Sequence, residues 1–335
     1  MDNKNIYDNI IEKIYQFIYF DDIDNDYITL EQLILAEKFC NIILYNFDFK
    51  NYCDDPKFKK KVSKESSIER SKEFLNVLSS EYGKKLIQNI DDKVMKFYNF
   101  GELFTGYASY IGGVKKIGVP LRNDYSDAFV ITHEQIHDTT MHSADLSATW
   151  SYFSETPTML SELLQADYMQ KAGFDQREIN KYKKFSLSGY VYRALMLKVQ
   201  INLLKEILIS GYIDAHTVRK ILGEIYEICH DEDLTYDAFD ESIDKLFHEE
   251  EIFYFFDLRY VIGGVLSSYL HDKIIENNDL VKSFTEYNET FSNLDIQGVF
   301  ESIDIEFSEE NVLDLSEETY KKLEKSYKNE LKRVW

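Results

Sequence analysis

Residues 126–142 read SDAFVITHEQIHDTTMH, and the side chains in them that could do chemistry are spaced for a helix. His133 and His137 are four apart, so both imidazoles leave one helical face and can share a tetrahedral metal. Glu134 follows the first histidine and can reach a water held beside that metal. This is the HExxH arrangement, whose chemistry is the zinc-dependent hydrolysis of peptides. Neutral imidazole binds the ion without cancelling its charge, which leaves a Lewis acid able to acidify water toward neutrality. The carboxylate accepts the water's proton and passes it to the leaving amine.

A catalytic zinc keeps three protein ligands and one open position, so a third ligand must lie downstream. The sequence offers His142, Asp145, Glu155 and Glu162. His142 is five residues past His137 and off the ligand face, while Asp145 needs a sharp chain reversal directly after the helix. Glu155 opens a second helical pattern, SETPTMLSELLQADYM (154–169), with Ser154 as a candidate cap. Pro157 falls in its first turn, where the missing N–H costs nothing. Glu162 lies seven residues on, about two turns along the same stripe. One of these glutamates can bind the metal while the other orients a histidine. The surrounding helix is otherwise apolar and reads as buried, which argues against two solvent-facing carboxylates.

The elements that must position these residues are mostly helices. Ile6, Ile10, Ile11, Ile14, Phe17 and Ile18 recur at steps of three and four, and Thr29 with Gln32 makes a capping-box signal before the apolar stretch 33–44. The polar, basic stretch 50–66, with Pro56, reads as a solvated loop. A helical pattern runs from about Ile68 to Phe100. Five of the 13 glycines (Gly101, Gly106, Gly112, Gly113, Gly118) then fall within 18 residues, which breaks helix and allows close backbone approach. VKKIGVPL (114–121) among them reads as short extended pieces, with Pro120 suited to a sheet edge. Helical patterns resume near 126 and continue to the end, interrupted at Gly263–Gly264. The tetrapeptide IGGV occurs twice, but its flanks differ, so no internal repeat is read. A boundary is expected near residue 100. The fold class is mainly α with a small edge β-sheet beside the active-site helix.

At these residues the chain resembles the thimet oligopeptidase and oligoendopeptidase F family of zinc peptidases, helical enzymes of the gluzincin type. SDAFVITHEQIH resembles the approach to that family's zinc helix, and FSETPTMLSELL resembles its second zinc helix. FFDLRYVIGGVLSSYLHDKI (255–274) and NVLDLSEETYKKLEKSY also fit, so the resemblance covers about residues 100–335. It implies one zinc ion held by His133, His137 and Glu155, with Glu162 in support and Glu134 activating water. Tyr260 or Tyr269 would donate to the oxyanion, and His248 lies in that neighbourhood but out of register. A peptide substrate would add itself as a strand along 114–121, and Gly263–Gly264 would let a loop move over it. Residues 1–100 would form a helical cleft wall and 101–335 the catalytic domain. The chain departs from the family in four ways. Ile136 stands where the family has glycine, the interval from His137 to Glu155 is short, the substrate-facing His and Tyr do not map one to one, and members are usually much longer. The trimmed wall implies an open cleft.

Composition narrows the remaining classes. With 60 acidic against 38 basic residues the formal net charge is -22, which excludes phosphate-rich partners such as nucleic acid or an anionic membrane and would steer basic peptides toward the site. Hydrophobic content of 44% argues for a folded chain, and no apolar run approaches the length of a membrane span. The N-terminus lacks the basic start and unbroken apolar core of a secretory signal. Three scattered cysteines (Cys40, Cys53, Cys229) fit free thiols in a reducing compartment, so a cytoplasmic location is expected. Oligomeric state is not legible. Two other readings fit the same residues, a peptide-binding pseudoenzyme of the same fold and a non-enzymatic helical interaction protein. Metal content separates the last from the first two, and turnover separates those two.

Overall fold

The computed structural model describes residues 30–53, 56–111, 114–140, 154–210, 212–248, 257–277 and 284. The helix expected over residues 6–18, the Thr29 cap, His142, Asp145 and the C-terminal pattern after 284 lie outside the described residues. Among the described residues three helices come first, α1 (Leu30–Asn46), α2 (Lys64–Leu78) and α3 (Ser80–Asp91). The strands β1 (Met95–Asn99), β2 (Tyr107–Ile111) and β3 (Val114–Leu121) follow. Then come α4 (Ser126–Thr140), α5 (Thr156–Lys171), the long α6 (Gln176–Ser210), α7 (Ala215–Cys229), α8 (Glu232–His248) and α9 (Leu258–Asn277). The protein is therefore mainly α with one small sheet, as its periodicities imply.

Local signals set several of the boundaries. Ser63 accepts the Ser66 amide at 3.2 Å at the start of α2, Ser79 accepts that of Glu81 at the start of α3, and Asp214 caps α7 through the Thr217 amide at 2.8 Å. Among the described residues the 50–66 stretch is irregular apart from the end of a 3₁₀ turn (Phe49–Asn51) and the start of α2 at Lys64, and its Lys60 pairs with Asp175 at 2.7 Å.

The sheet order is β1-β3-β2, with β1 parallel and β2 antiparallel to β3. This corrects two expectations. β3 is the central strand, so Pro120 is not on an edge strand. It is tolerated because β2 pairs only with residues 114–118, which leaves β3 paired on one side at 120, to Tyr98. For the same reason a peptide cannot add itself along 114–121. The free edge among the described residues at this end is β2. Gly263 and Gly264 also differ from expectation, since both lie inside α9 rather than in a loop.

One large core takes in buried residues from Ala36 to Phe284, including Phe74, Leu75, Val119, Ile131, Leu160, Leu195 and Val261. The boundary expected near 100 falls between two strands of one sheet, and this core runs through it. α2 packs on α4, and α1 packs on α6 with Glu37 ion-paired to Lys198 at 2.6 Å and also to Lys205. A smaller cluster forms where Phe129 stacks on Tyr182 at 3.8 Å between ring centroids. Cys40, Cys53 and Cys229 form no disulfide among the described residues.

Candidate active site

The HExxH helix is held from both ends. Before α4, the buried Asp127 carboxylate accepts the amides of Arg122 at 2.8 Å and Asn123 at 2.9 Å, which fixes the turn from β3. Asp124 accepts both the amide and the hydroxyl of Ser126. Near the far end, buried Asp138 meets Lys115 of β3 at 2.5 Å, Lys85 of α3 at 3.3 Å and the Asn89 amide at 2.9 Å. Ile136, bulky where a glycine was expected, is fully buried in the core, so its side chain occupies none of the cleft.

Glu155, at the start of α5, lies beside the two histidines of α4. Glu155 occupies the N-cap position of α5, with Pro157 in the first turn. The cap is Glu155 itself rather than Ser154, and no side-chain hydrogen bond closes it. Its carboxylate is thereby left to face the site. Glu155 Oε2 lies 3.3 Å from His133 Nε2 and 3.5 Å from His137 Nε2. A tetrahedral ion with bonds of about 2.1 Å separates its ligands by about 3.4 Å. Oε2 is buried yet accepts no hydrogen bond among the described residues, and the three ligand atoms lie within 4.8 Å of one another. Two imidazoles and a carboxylate facing one small space are a donor set that fits a single zinc-type ion.

Glu162 engages the other side of the same imidazole. Its Oε1 is 2.6 Å from His133 Nδ1, and its Oε2 accepts from Ser186 Oγ of α6 at 3.3 Å. That contact turns Nε2 of His133 toward the cluster, where a neutral ring can offer its lone pair to a metal. Both glutamates seven residues apart thus touch one histidine, at opposite ring nitrogens.

The electrostatics are those of charges buried together. Burial alone would lower the His133 pKa, but its contacts with Glu155 and Glu162 outweigh that and hold it well above its usual value. Burial would raise Glu155, and the two histidines instead hold it well below the usual carboxylate range. Glu134 is raised, because burial outweighs the attraction of the histidines. Its Oε2 has no hydrogen-bond partner among the described residues. The backbone just before β2 comes directly against it, since a Cβ added at Gly106 would overlap the Glu134 carboxylate.

α9 closes the opposite side. A Cβ at Gly263 would lie 2.7 Å from Met159 Sδ and 3.0 Å from Glu155 Cβ, so this glycine permits the helix to touch the start of α5. One turn earlier, Tyr260 is brought beside Glu155. Burial and that carboxylate push its phenol up to about 12. Tyr269 lies nine residues on, half a turn out of phase and about 13 Å along the axis, with Lys273 Nζ 5.5 Å from its ring. Of the two tyrosines, the geometry sets Tyr260 at the cluster. His248 is the last residue of α8, and its side chain lies outside the described residues.

Three participants were missed in the sequence. Arg259 Nε sits 3.4 Å from Glu155 Oε1, Arg193 lies over the Tyr260 ring, and Asp257 anchors Arg193 at 2.8 Å. The adjacency of Asp257 and Arg259 to Tyr260 in Asp-Leu-Arg-Tyr was the available signal for those two, and nothing in the sequence linked Arg193 to them.

At the sequence level, no protein-family profile and no curated protein matches the chain. Solved structures do match its fold. PZ peptidase A with an inhibitor superposes with a TM-score of 0.62 at 14% identity, over 94% of this chain and 61% of that one. A protein from Bacillus anthracis str. Ames described as an oligoendopeptidase F gives 0.58 at 13%, over 95% and 59%. A protein from Chlamydophila abortus described as a peptidase gives 0.56 at 14%, over 96% and 55%. The chain therefore has the helical fold of these peptidases and spans between 55% and 61% of their length.

Proposed function

We propose that this chain is a zinc-dependent endopeptidase or oligopeptidase, with Glu134 as its general base. The observation that carries the reading is the convergence of His133, His137 and Glu155 on one space with Glu134 buried beside it. Zinc bound there would supply a Lewis acid that polarises the scissile carbonyl and acidifies water. His133 and His137 would hold it through Nε2 and Glu155 through Oε2, with Glu162 keeping the His133 ring oriented.

The raised pKa of Glu134 suits a group that takes a proton from water and returns it to the leaving nitrogen. The Tyr260 phenol, kept protonated by burial and by Glu155, is placed to donate a hydrogen bond to the developing oxyanion, a contribution of about 3 kcal/mol in comparable sites. An extended peptide would pair with the free edge of β2, just before which Gly106 borders Glu134. This use of β2 replaces the earlier expectation of β3.

The test is zinc stoichiometry together with digestion of a defined peptide mixture. Zinc-loaded protein is expected to bind one equivalent and to cut internal bonds, chelator-stripped protein to be inactive, and added zinc to restore cleavage. Stoichiometric zinc without cleavage would favour the peptide-binding pseudoenzyme. Absence of zinc binding would sink the reading.

A further inference from the structure

We propose that Arg259 is a positioning residue that locks Glu155 with one oxygen toward the two histidines and couples that carboxylate to the Tyr260 hydroxyl. The inference rests on the zinc reading above and extends it to a residue outside the ligand set. Glu155 is 1% exposed, so its two oxygens must be provided for within the protein. Oε2 faces the imidazoles, and Arg259 Nε approaches Oε1 at 3.4 Å. A guanidinium ion-paired to one oxygen of a buried carboxylate disfavours its rotation, which keeps Oε2 on the metal side.

The same guanidinium reaches its chain neighbour Tyr260. Arg259 Nη2 donates to the Tyr260 hydroxyl at 3.2 Å, and its plane lies 4.9 Å from that ring's centroid. A forked guanidinium can engage a carboxylate and a phenol through different nitrogens. Arg193 packs on the Tyr260 ring as well, 4.8 Å from its centroid. It is anchored by the fully buried Asp257, which also binds Lys245 at 3.2 Å and Gln200 at 3.2 Å. Tyr260 is thus fixed by two guanidiniums, one of them tied to the metal-facing carboxylate.

The test uses the full-length chain with Arg259→Gln and Arg259→Lys. Zinc affinity is read by competition with a chelating dye, and coordination geometry by the visible absorption of the cobalt-loaded protein. Arg259→Gln is expected to weaken zinc about 10- to 100-fold, the usual loss for a partner of a metal ligand, and to change the cobalt spectrum. Arg259→Lys retains the charge and is expected to stay within about threefold of wild type for zinc. It cannot span both partners, so its kcat is expected to fall with little change in KM.

Wild-type affinity and an unaltered cobalt spectrum in a folded Arg259→Gln protein would overturn the proposal. So would an Arg259→Lys protein as weak as Arg259→Gln. Should Arg259→Gln fail to unfold cooperatively, Arg259→Lys decides alone, with a tenfold or greater loss of zinc affinity counting against the proposal. Wild-type protein that binds no zinc would fail the underlying reading first, which keeps the two failures distinct.

Discussion

Glu134 shows how the site's residues trade stability for chemistry. It is buried with one carboxylate oxygen unpartnered, and its pKa is raised above the value it has in the unfolded chain. A group raised in this way stabilises the fold below its unfolded pKa and costs stability as pH rises through its folded pKa. In zinc-free protein at neutral pH, Glu134→Gln is therefore expected to raise stability by about 1 kcal/mol, the scale of one unsatisfied buried polar atom. Denaturant unfolding checks this, and the gain should vanish as pH falls and the wild-type carboxyl takes up its proton. His133, Glu134 and His137 were legible because a four-residue step on a helix fixes a shared face. The Glu155–Glu162 pair was legible because a seven-residue step does the same, and both do meet His133. Arg259 was not. Its partner lies about a hundred residues away, and no spacing links them until α9 lands on α5.

At the scale of elements, the contact between α5 and α9 decides whether Glu155 and Tyr260 meet. Gly263 is buried against Met159 and Glu155, so Gly263→Ala must push the helices apart or bend Met159 aside. The expected cost is about 1–3 kcal/mol, with weaker zinc binding because Glu155 moves. Gly223, inside α7 with nothing within 4 Å of an added Cβ, is the matched control. Gly223→Ala is expected to stabilise by about 0.5–1 kcal/mol and leave zinc binding unchanged, since only backbone entropy is affected. Thermal unfolding with and without zinc separates the two. Gly263–Gly264 read as a loop because glycine opposes helix, but the pair is there for close packing. The helices were legible from apolar periodicity, except that the pattern expected to run to Phe100 ends at Asp91 and gives way to β1. That β3 is central was not, because pairing partners depend on long-range contacts and 114–121 carries no mark of which neighbour lies on each side.

Over the whole molecule, the described residues share one principal core rather than dividing cleanly at residue 100. α1 contributes Phe39, Cys40 and Ile43 to it, and α2 contributes Phe74, Leu75 and Leu78. A chain truncated before residue 92 would leave the faces of α4 and α6 that these helices cover open to water. It is expected to lose cooperative unfolding and to aggregate, read by circular dichroism and size exclusion. A soluble, cooperatively melting fragment would instead show that the first three helices are dispensable. The fold class was legible from composition and period. The shared core was not, since no Pro- or Gly-rich linker marks the chain and the boundary signal near 100 was the glycine cluster that shapes the sheet. Among the described residues, no helix is long and apolar enough to cross a membrane.

The central claim is that Glu134 performs proton transfer beside a metal held by His133, His137 and Glu155. Its most direct test compares peptide cleavage by wild type and Glu134→Gln at equal, measured zinc occupancy. The account predicts that both bind one zinc with similar affinity and that only wild type cleaves, with the variant down at least about a hundredfold, as for loss of a general base. Cleavage by Glu134→Gln at a rate near wild type would contradict it.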